Sequence, residues 1–268
     1  MKLIVSANSI DHLNSLIKKD VDGIILSIDK LAVNDSFYID VDKLDEIDFN
    51  DKEVFVSLNK LMHNNDLELL RKVMLKLKDK NVRIIFYDMA VYNIAKECEM
   101  IDKLVISQDH LNASVLSNKF YLNKGIKASY ITSDITKDEL LEIKDKSGME
   151  VFFLGYGYAP IFYSRRYLIS NYLKYIGEDK GKEYKIVSDT GSIYPINEEE
   201  YGTTIYTEKP INLINYLDEL SSIDYLVLKS NKISDDEFNK MVDKFINREH
   251  TKDEYIGFFN TKTIYRVK

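Results

Sequence analysis

The sequence is poor in the residue types that build disulfide frameworks and metal cages. Its 268 residues include a single cysteine, Cys98, and only four histidines. One cysteine excludes an intrachain disulfide and an all-cysteine metal site within this chain. No His-x-x-x-His or Glu-x-x-His spacing occurs, so we predict no metal site.

Long apolar runs and a net positive charge are also missing. No run of about 18 apolar residues occurs, which argues against a membrane-spanning helix. Residues 1–6 are too short an apolar run for a signal peptide and are predicted to begin the first strand. The lack of a predicted signal peptide and the scarcity of cysteine together predict a cytoplasmic protein. The formal net charge is −7, so any contact with nucleic acid must be local.

Short runs rich in β-branched residues alternate along the chain with longer segments of helical period, as in repeated βα units. The predicted strands are 3–7, 23–28, 53–58, 82–87, 104–107, 128–132, 150–154 and 225–229. The predicted helices are 10–19, 67–77, 90–100, 113–123, 137–146, 212–220 and 235–246. This alternation indicates an α/β fold.

Eight βα units in a chain of this length predict a TIM-type (β/α)8 barrel, here as one domain spanning 1–268. The alternation of strands and helices is interrupted at about 161–207. This interruption predicts an insertion after the seventh strand, with β segments at 184–188 and 203–206. A doubly wound open sheet is the alternative, but no glycine-rich phosphate loop follows the first strand. A barrel would gather the polar residues near its strand ends at one mouth. They are Asn8, Asn59, His63, Asp88, Gln108, Asp109, Asp134, Glu150, Arg165 and Arg166.

The segment 150–172 combines a buried strand, a glycine-containing break and an arginine pair. Arg165 and Arg166 are two of only six arginines, and they follow Tyr163 and Ser164. Guanidinium groups are planar, permanently charged forks that suit a carboxylate or a phosphate. The alternative is an amphipathic helix whose arginines pair with nearby acidic residues in 178–179.

The order Glu150, Gly157, Tyr163-Ser164-Arg165-Arg166 and Ser170-Asn171-Tyr172 resembles the signature of peptidase family U32, the collagenase-like proteases. The stretches 58–64, 257–259 and 265–268 support the resemblance, which covers essentially the whole chain. It is greatest to short members found in pairs in Gram-positive bacteria. For that branch the resemblance implies prephenate-dependent hydroxylation of the tRNA wobble uridine, with a second U32 protein as partner, instead of proteolysis.

Two departures from the family pattern bear on this implication. Relatives carry two signature cysteines, which in some members help to hold an iron–sulfur cluster, whereas Pro160 and Tyr167 stand at those positions here. One cysteine in the chain excludes a four-thiolate cluster, so we expect no cofactor and only prephenate as a small substrate. Many relatives also have Arg-Glu-Leu where this chain has residues 133–135. The chain is therefore either an enzyme or the non-catalytic half of a pair.

The predicted site combines these residues. The predicted catalytic residues are Glu150, His63 and Asp88, and the predicted substrate-binding residues are Arg165, Arg166, Ser164, Asn59, Gln108 and Tyr163. Each of the three predicted catalytic residues has a structural alternative. Glu150 can be a solvated strand-start residue at the far rim of the barrel, His63 an ordinary helix N-terminal residue, and Asp88 a helix cap.

Nineteen tyrosines make tyrosine the most abundant aromatic residue. Several lie between 156 and 175, interleaved with Arg165, Arg166, Lys174, Lys180 and Lys182. This pattern predicts a local patch that stacks the bases of tRNA, or alternatively a surface for a partner subunit.

A collagenase-like peptidase is the alternative to a protein of tRNA hydroxylation. It would use Ser164, but no Gly-x-Ser-x-Gly motif accompanies that serine.

Overall fold

The computed structural model describes residues 1–108, 111–179, 181, 184–252 and 254–261. Its strands are β1 Lys2–Ser6, β2 Gly23–Ile28, β3 Tyr38–Ile39, β4 Glu53–Leu58, β5 Val82–Phe86, β6 Leu104–Ser107, β7 Ala128–Tyr130, β8 Glu150–Gly157, β9 Pro160–Ser164, β10 Tyr184–Val187, β11 Ile193–Glu199, β12 Gly202–Tyr206, β13 Ile211–Asn212 and β14 Tyr225–Leu228. Eight of them, in the order β1-β2-β4-β5-β6-β7-β8-β14, pair in parallel and close back onto β1. The predicted TIM-type barrel is confirmed.

In the described part of the chain, seven α-helices accompany the strands. They are α1 Ile10–Ile17, α2 Leu67–Leu77, α3 Met89–Glu97, α4 Val115–Asn123, α5 Lys137–Ser147, α6 Leu168–Ile176 and α7 Asp235–Asn247. Five begin at an N-cap whose side chain accepts a backbone N–H of the first turn, as short polar residues do. No helix in the described ranges is long and apolar enough to cross a lipid bilayer.

The interior of the barrel changes chemistry from one end to the other. The middle is an apolar cluster of Ile4, Ile25, Phe55, Ile85, Val105, Ala128, Phe152, Tyr225 and Val227. Side chains two residues apart on a strand face the same way. Two residues towards the carboxyl ends lie Ser6, Ser27, Ser57, Ser107, Tyr130 and Lys229. Two residues towards the amino ends lie Lys2, Glu53, Arg83 and Glu150. The barrel therefore has a charged amino end and a hydroxyl-lined carboxyl end.

The chain after the seventh barrel strand forms a second sheet. Its four antiparallel strands have the order β10-β11-β12-β9, and α6 lies between β9 and β10 in the sequence. Gly202 allows β12 to lie against β9, because a Cβ there would be 2.1 Å from the backbone oxygen of Ser164. The predicted insertion after the seventh strand is confirmed, including β segments that match β10 and β12. Strands β9 and β11 were not predicted.

The predicted helix at 212–220 is wrong. Ile211 and Asn212 instead form β13, which pairs antiparallel with the end of β8. The backbone N–H of Leu213 donates to the carbonyl oxygen of Gly155, 2.9 Å away. Because β8 uses these backbone groups, only a short 3-10 helix, Ile214–Tyr216, can form there. β8 itself extends three residues beyond its predicted end.

Candidate functional site

Glu150 lies at the amino end of β8, on the opposite side of the barrel from the mouth. Its carboxylate is 2.6 Å from the guanidinium of Arg83, which is also 3.3 Å from the Tyr225 hydroxyl. Tyr225 in turn donates to Glu53, 2.7 Å away. The placement of Glu150 among the mouth residues is therefore wrong, because a residue that begins a barrel strand faces the bottom rim.

A cavity of about 60 Å³ opens at the carboxyl end of the barrel. It is lined by Ile25, Asn34, Ser57, Asn59, Ile85, Ser107, Tyr130, Ile131, Thr132, Ser133, Leu154, Tyr158, Ala159, Pro160 and Lys229. This is the end of the barrel where TIM-barrel active sites form. Of the nine predicted site residues, the structure places only Asn59 in the wall of this cavity.

The side chain of Asn59 holds a neighbouring loop. Its amide oxygen accepts the Val33 N–H at 2.8 Å, and its amide nitrogen donates to the Val33 carbonyl at 3.0 Å. The side-chain amide of Gln108 also forms hydrogen bonds with the protein at both ends. It donates to the Tyr87 carbonyl at 3.3 Å and accepts from the Tyr121 hydroxyl at 2.7 Å. Both amides therefore shape the mouth through protein contacts.

Asp88 follows β5 and acts as a helix cap. One carboxylate oxygen accepts the Ala90 N–H at 2.8 Å at the start of α3, and the other accepts the Met62 N–H at 3.0 Å. His63 is exposed beside this loop and begins a short 3-10 helix, where its backbone N–H donates to Asp66. These contacts correspond to the structural alternatives for both residues.

The predicted arginine pair lies on the bend after β9, outside the described wall of the cavity. Arg165 donates to the Leu61 carbonyl at 3.0 Å, and the side chain of Arg166 is exposed. Within the described residues neither guanidinium forms an ion pair, so the predicted pairing with 178–179 is absent there. Ser164 accepts the Arg166 N–H at 3.3 Å.

Tyr163 is partly buried, and its hydroxyl donates to the Tyr201 carbonyl at 2.8 Å. Burial, together with the nearby Glu199 carboxylate, raises the pKa of Tyr163 to about 12. Its hydroxyl is therefore neutral at physiological pH.

Asn8, another predicted mouth residue, supports the start of α7 by donating to the Ile233 carbonyl at 2.8 Å. The predicted mouth residue Asp109 lies outside the described residues, as do Lys180 and Lys182 of the predicted patch.

The sequence analysis missed two charged residues at the mouth, Lys229 and Asp35. Lys229 follows β14, and its ammonium group lies 3.5 Å from a carboxylate oxygen of Asp35. Asp35 is only 5% exposed, and its other oxygen accepts the Ser27 hydroxyl at 2.6 Å. The sequence could have identified Lys229, because it lies two residues beyond Val227, which faces the interior of the barrel. Asp35 lies in an irregular loop without a comparable pattern.

A buried polar network joins the inserted sheet to the mouth. Asn231 donates to the Asn34 carbonyl at 3.0 Å and to the Tyr206 hydroxyl at 3.2 Å. Tyr38 donates to Glu199 at 3.2 Å, which links the β2–β4 connection to β11. Burial raises the pKa of the Glu199 carboxyl above its ordinary value. The insertion is thus held over the barrel by hydrogen bonds between buried groups.

The described residues include no group of three or more His, Cys, Asp or Glu side chains that could hold a metal ion. Cys98 is half-buried at the end of α3. The described wall of the cavity offers hydroxyls, amides and one ammonium group, with the Asp35 carboxylate beside that ammonium group. They suit the binding of a polar or anionic small molecule.

Comparison with known proteins places the chain in a family. The chain is 29% identical over 177 residues to a protein of Bacillus subtilis (strain 168) named tRNA hydroxylation protein P2. The match covers 63% of this chain and 57% of that relative, so it spans little more than half of the relative's length. The sequence pattern described as Peptidase family U32 matches residues 9–252. The chain therefore belongs to peptidase family U32.

Proposed function

We propose that the protein acts in the hydroxylation of the tRNA wobble uridine, with prephenate as a small co-substrate and a second U32 protein as partner. The observation that carries the proposal is the similarity to tRNA hydroxylation protein P2. In this proposal the chain holds no iron–sulfur cluster of its own, and it acts in the cytoplasm, where tRNA is found.

The chemistry of the mouth supports a small anionic substrate. Prephenate carries two carboxylates, and Lys229 provides a cation in the wall of the cavity. Hydroxyl and amide groups provide hydrogen-bond donors beside it. Such a site binds and orients a polar acid at the end of the barrel where TIM-barrel enzymes act.

The outer surface near the mouth supports contact with tRNA. Tyr172 and Tyr175 are 62% and 88% exposed on α6, close in sequence to Arg166 and Lys174. Exposed aromatic rings can stack on unpaired bases, and unpaired cations can contact phosphates. The formal net charge of −7 makes such a local patch necessary for an RNA-binding role.

No observation gives comparable support to proteolysis. A serine peptidase needs a base within hydrogen-bond reach of its nucleophile. The Ser164 hydroxyl accepts a backbone N–H from Arg166. Within the described residues, no histidine or carboxylate forms a hydrogen bond with it.

The test is mass spectrometry of tRNA nucleosides from a strain that lacks this gene. We expect 5-hydroxyuridine and its derivatives to disappear and to return when the gene is restored. Restoration with Arg166→Ala should be incomplete, whereas Arg71→Ala should restore fully because the Arg71 guanidinium on α2 is engaged in an ion pair with Glu97. Unchanged nucleosides in the deletion strain would contradict the proposal.

A further inference from the structure

The cavity contains hydrogen-bonding groups that the protein leaves unused. Ser57 is only 3% exposed and lines the cavity, yet its hydroxyl has no hydrogen-bond partner among the described residues. Ser107 lines the cavity as well, and its hydroxyl likewise has no such partner. Because the described protein uses neither hydroxyl, both can form hydrogen bonds with a molecule bound in the cavity.

Lys229 is the one charged side chain in the described wall of this cavity. An ammonium group has three N–H donors. Asp35 lies 3.5 Å away, and the facing carboxylate oxygen has no hydrogen-bond partner in the described part of the chain. Asp35 therefore neutralises part of the charge without using the donors of Lys229, and those donors stay free for a ligand.

The position of Lys229 is fixed by its backbone. Its N–H donates to the Tyr156 carbonyl at 2.8 Å, and its carbonyl packs against Gly157. A Cβ on Gly157 would lie 2.6 Å from the Lys229 carbonyl oxygen, and Gly157 has a φ of 129°. Glycine at this position thus permits the close approach that directs Lys229 to the mouth.

We infer that this cavity binds the carboxylate of a small organic acid, with Lys229 as its cation and Ser57 and Ser107 as hydrogen-bond donors. The volume of about 60 Å³ accommodates a carboxylate group with its neighbouring carbons, and a larger acid extends through the opening. No glycine is among the described residues that line the cavity, so the wall lacks the glycine-rich loop typical of many phosphate sites. The inference deepens the proposed function, on which its biological meaning rests, by locating the acid at Lys229 instead of at the arginine pair.

The test is isothermal titration calorimetry of the purified full chain with prephenate, pyruvate and inorganic phosphate. We expect saturable binding of both acids and at least about tenfold weaker binding in Lys229→Gln, because a charge-assisted hydrogen bond is lost. Ser57→Ala should weaken binding about three- to tenfold. Lys232→Gln is the matched control, since Lys232 lies over the Tyr206 ring and outside the wall of this cavity.

Removal of Lys229 alone leaves Asp35 buried without its cation, so the variant can lose stability for that reason. The double variant Lys229→Gln/Asp35→Asn removes both charges and keeps a polar pair, and it should fold while binding the acids equally weakly. Wild-type affinity in the double variant, absence of acid binding to the wild type, or stronger binding of phosphate than of either acid would each overturn the inference. The nucleoside analysis judges the proposed function separately.

Discussion

Arg83 and Glu150 form an ion pair, 2.6 Å apart, that closes the amino end of the barrel. The guanidinium also lies over the rings of Phe55, Phe152 and Tyr225, with distances of 5.7, 5.2 and 5.5 Å to their centroids. Phe152 and Tyr225 stack at 4.2 Å beneath it. This cluster of one cation and three rings makes Glu150 part of a structural closure at the end opposite the mouth.

The first prediction concerns this closure. Arg83→Met should lower the free energy of unfolding by about 1–2 kcal/mol, because cation–π contacts and the ion pair are lost. Glu150→Gln should cost less than about 1 kcal/mol, since half of its side chain is exposed. Glu150→Gln should also restore tRNA hydroxylation fully in the deletion strain. Urea denaturation and nucleoside analysis measure the two effects.

Arg71→Met is the control for stability, because Arg71 forms an exposed ion pair with Glu97 and contacts no ring in the described residues. It should leave the free energy of unfolding nearly unchanged, because an exposed ion pair contributes little. If the Glu150→Gln protein is stable but fails to restore tRNA hydroxylation in the deletion strain, Glu150 is a catalytic residue.

The barrel strands could be predicted because their sequence carries the signal. Most are short apolar runs followed by a helix of clear periodicity, and α2, for example, buries Leu70, Val73, Met74 and Leu77 at helical spacing. The inserted region is different, because β9, β10 and β11 are partly or fully exposed and the strands of this sheet pair only with one another. Its strand β11, Ile193–Glu199, contains proline and glutamates, which obscure the alternation that identifies a strand.

The site was harder to predict than the fold. Polar residues near strand ends were chosen for their position, but position does not show whether a side chain is already used. Asn59 and Gln108 make paired hydrogen bonds with the protein, which only the structure reveals. The inward direction of Ser57 and Lys229 follows from the period of two along a strand, so this part of the mouth was within reach of the sequence.

The second prediction separates a capping role from a catalytic role for Asp88. Asp88→Ala should lower the free energy of unfolding by about 0.5–2 kcal/mol, because the Ala90 N–H loses its cap and the Met62 N–H its acceptor. Asp88→Asn keeps one acceptor and should retain most of both stability and hydroxylation. A stable Asp88→Asn protein without activity would show that the carboxylate itself takes part in the reaction.

The third prediction follows from the pKa of Glu199, which burial raises above the ordinary value of 4.5. The folded protein then retains a proton on Glu199 at a pH where the unfolded chain has released it. Stability contributed by this group is therefore present below pH 4.5 and is lost as the pH rises to the raised pKa of the folded state. Glu199→Gln should abolish this loss, so the variant gains stability relative to the wild type as the pH rises through that window.

Urea denaturation at a series of pH values measures this difference. Glu68→Gln is the control, because Glu68 is exposed on α2 and pairs only with Lys72 in the described residues. Its difference from the wild type should stay nearly constant over the same window. Parallel pH profiles for Glu199→Gln and the wild type would contradict the burial of the Glu199 carboxyl beside Tyr38.

The fourth prediction concerns the exposed tyrosines of α6. If Tyr175 stacks on an unpaired base, Tyr175→Ala should weaken tRNA binding by about 1–3 kcal/mol, which is about five- to 150-fold. Arg166→Gln should reduce the slope of log affinity against log salt concentration by about 1, because one phosphate contact is lost. Fluorescence anisotropy with labelled tRNA at several salt concentrations measures both effects.

Phe120→Ala is the matched control, since Phe120 is an exposed aromatic residue on α4, far along the chain from the patch. Its tRNA affinity should equal that of the wild type. If Tyr175→Ala also leaves tRNA affinity unchanged but abolishes co-purification of a second U32 protein, the exposed face of α6 is a subunit interface. In that case another surface of this chain binds the RNA, and the salt slope of Arg166→Gln shows whether Arg166 belongs to that surface: a reduced slope places a phosphate contact at Arg166, and an unchanged slope excludes that contact.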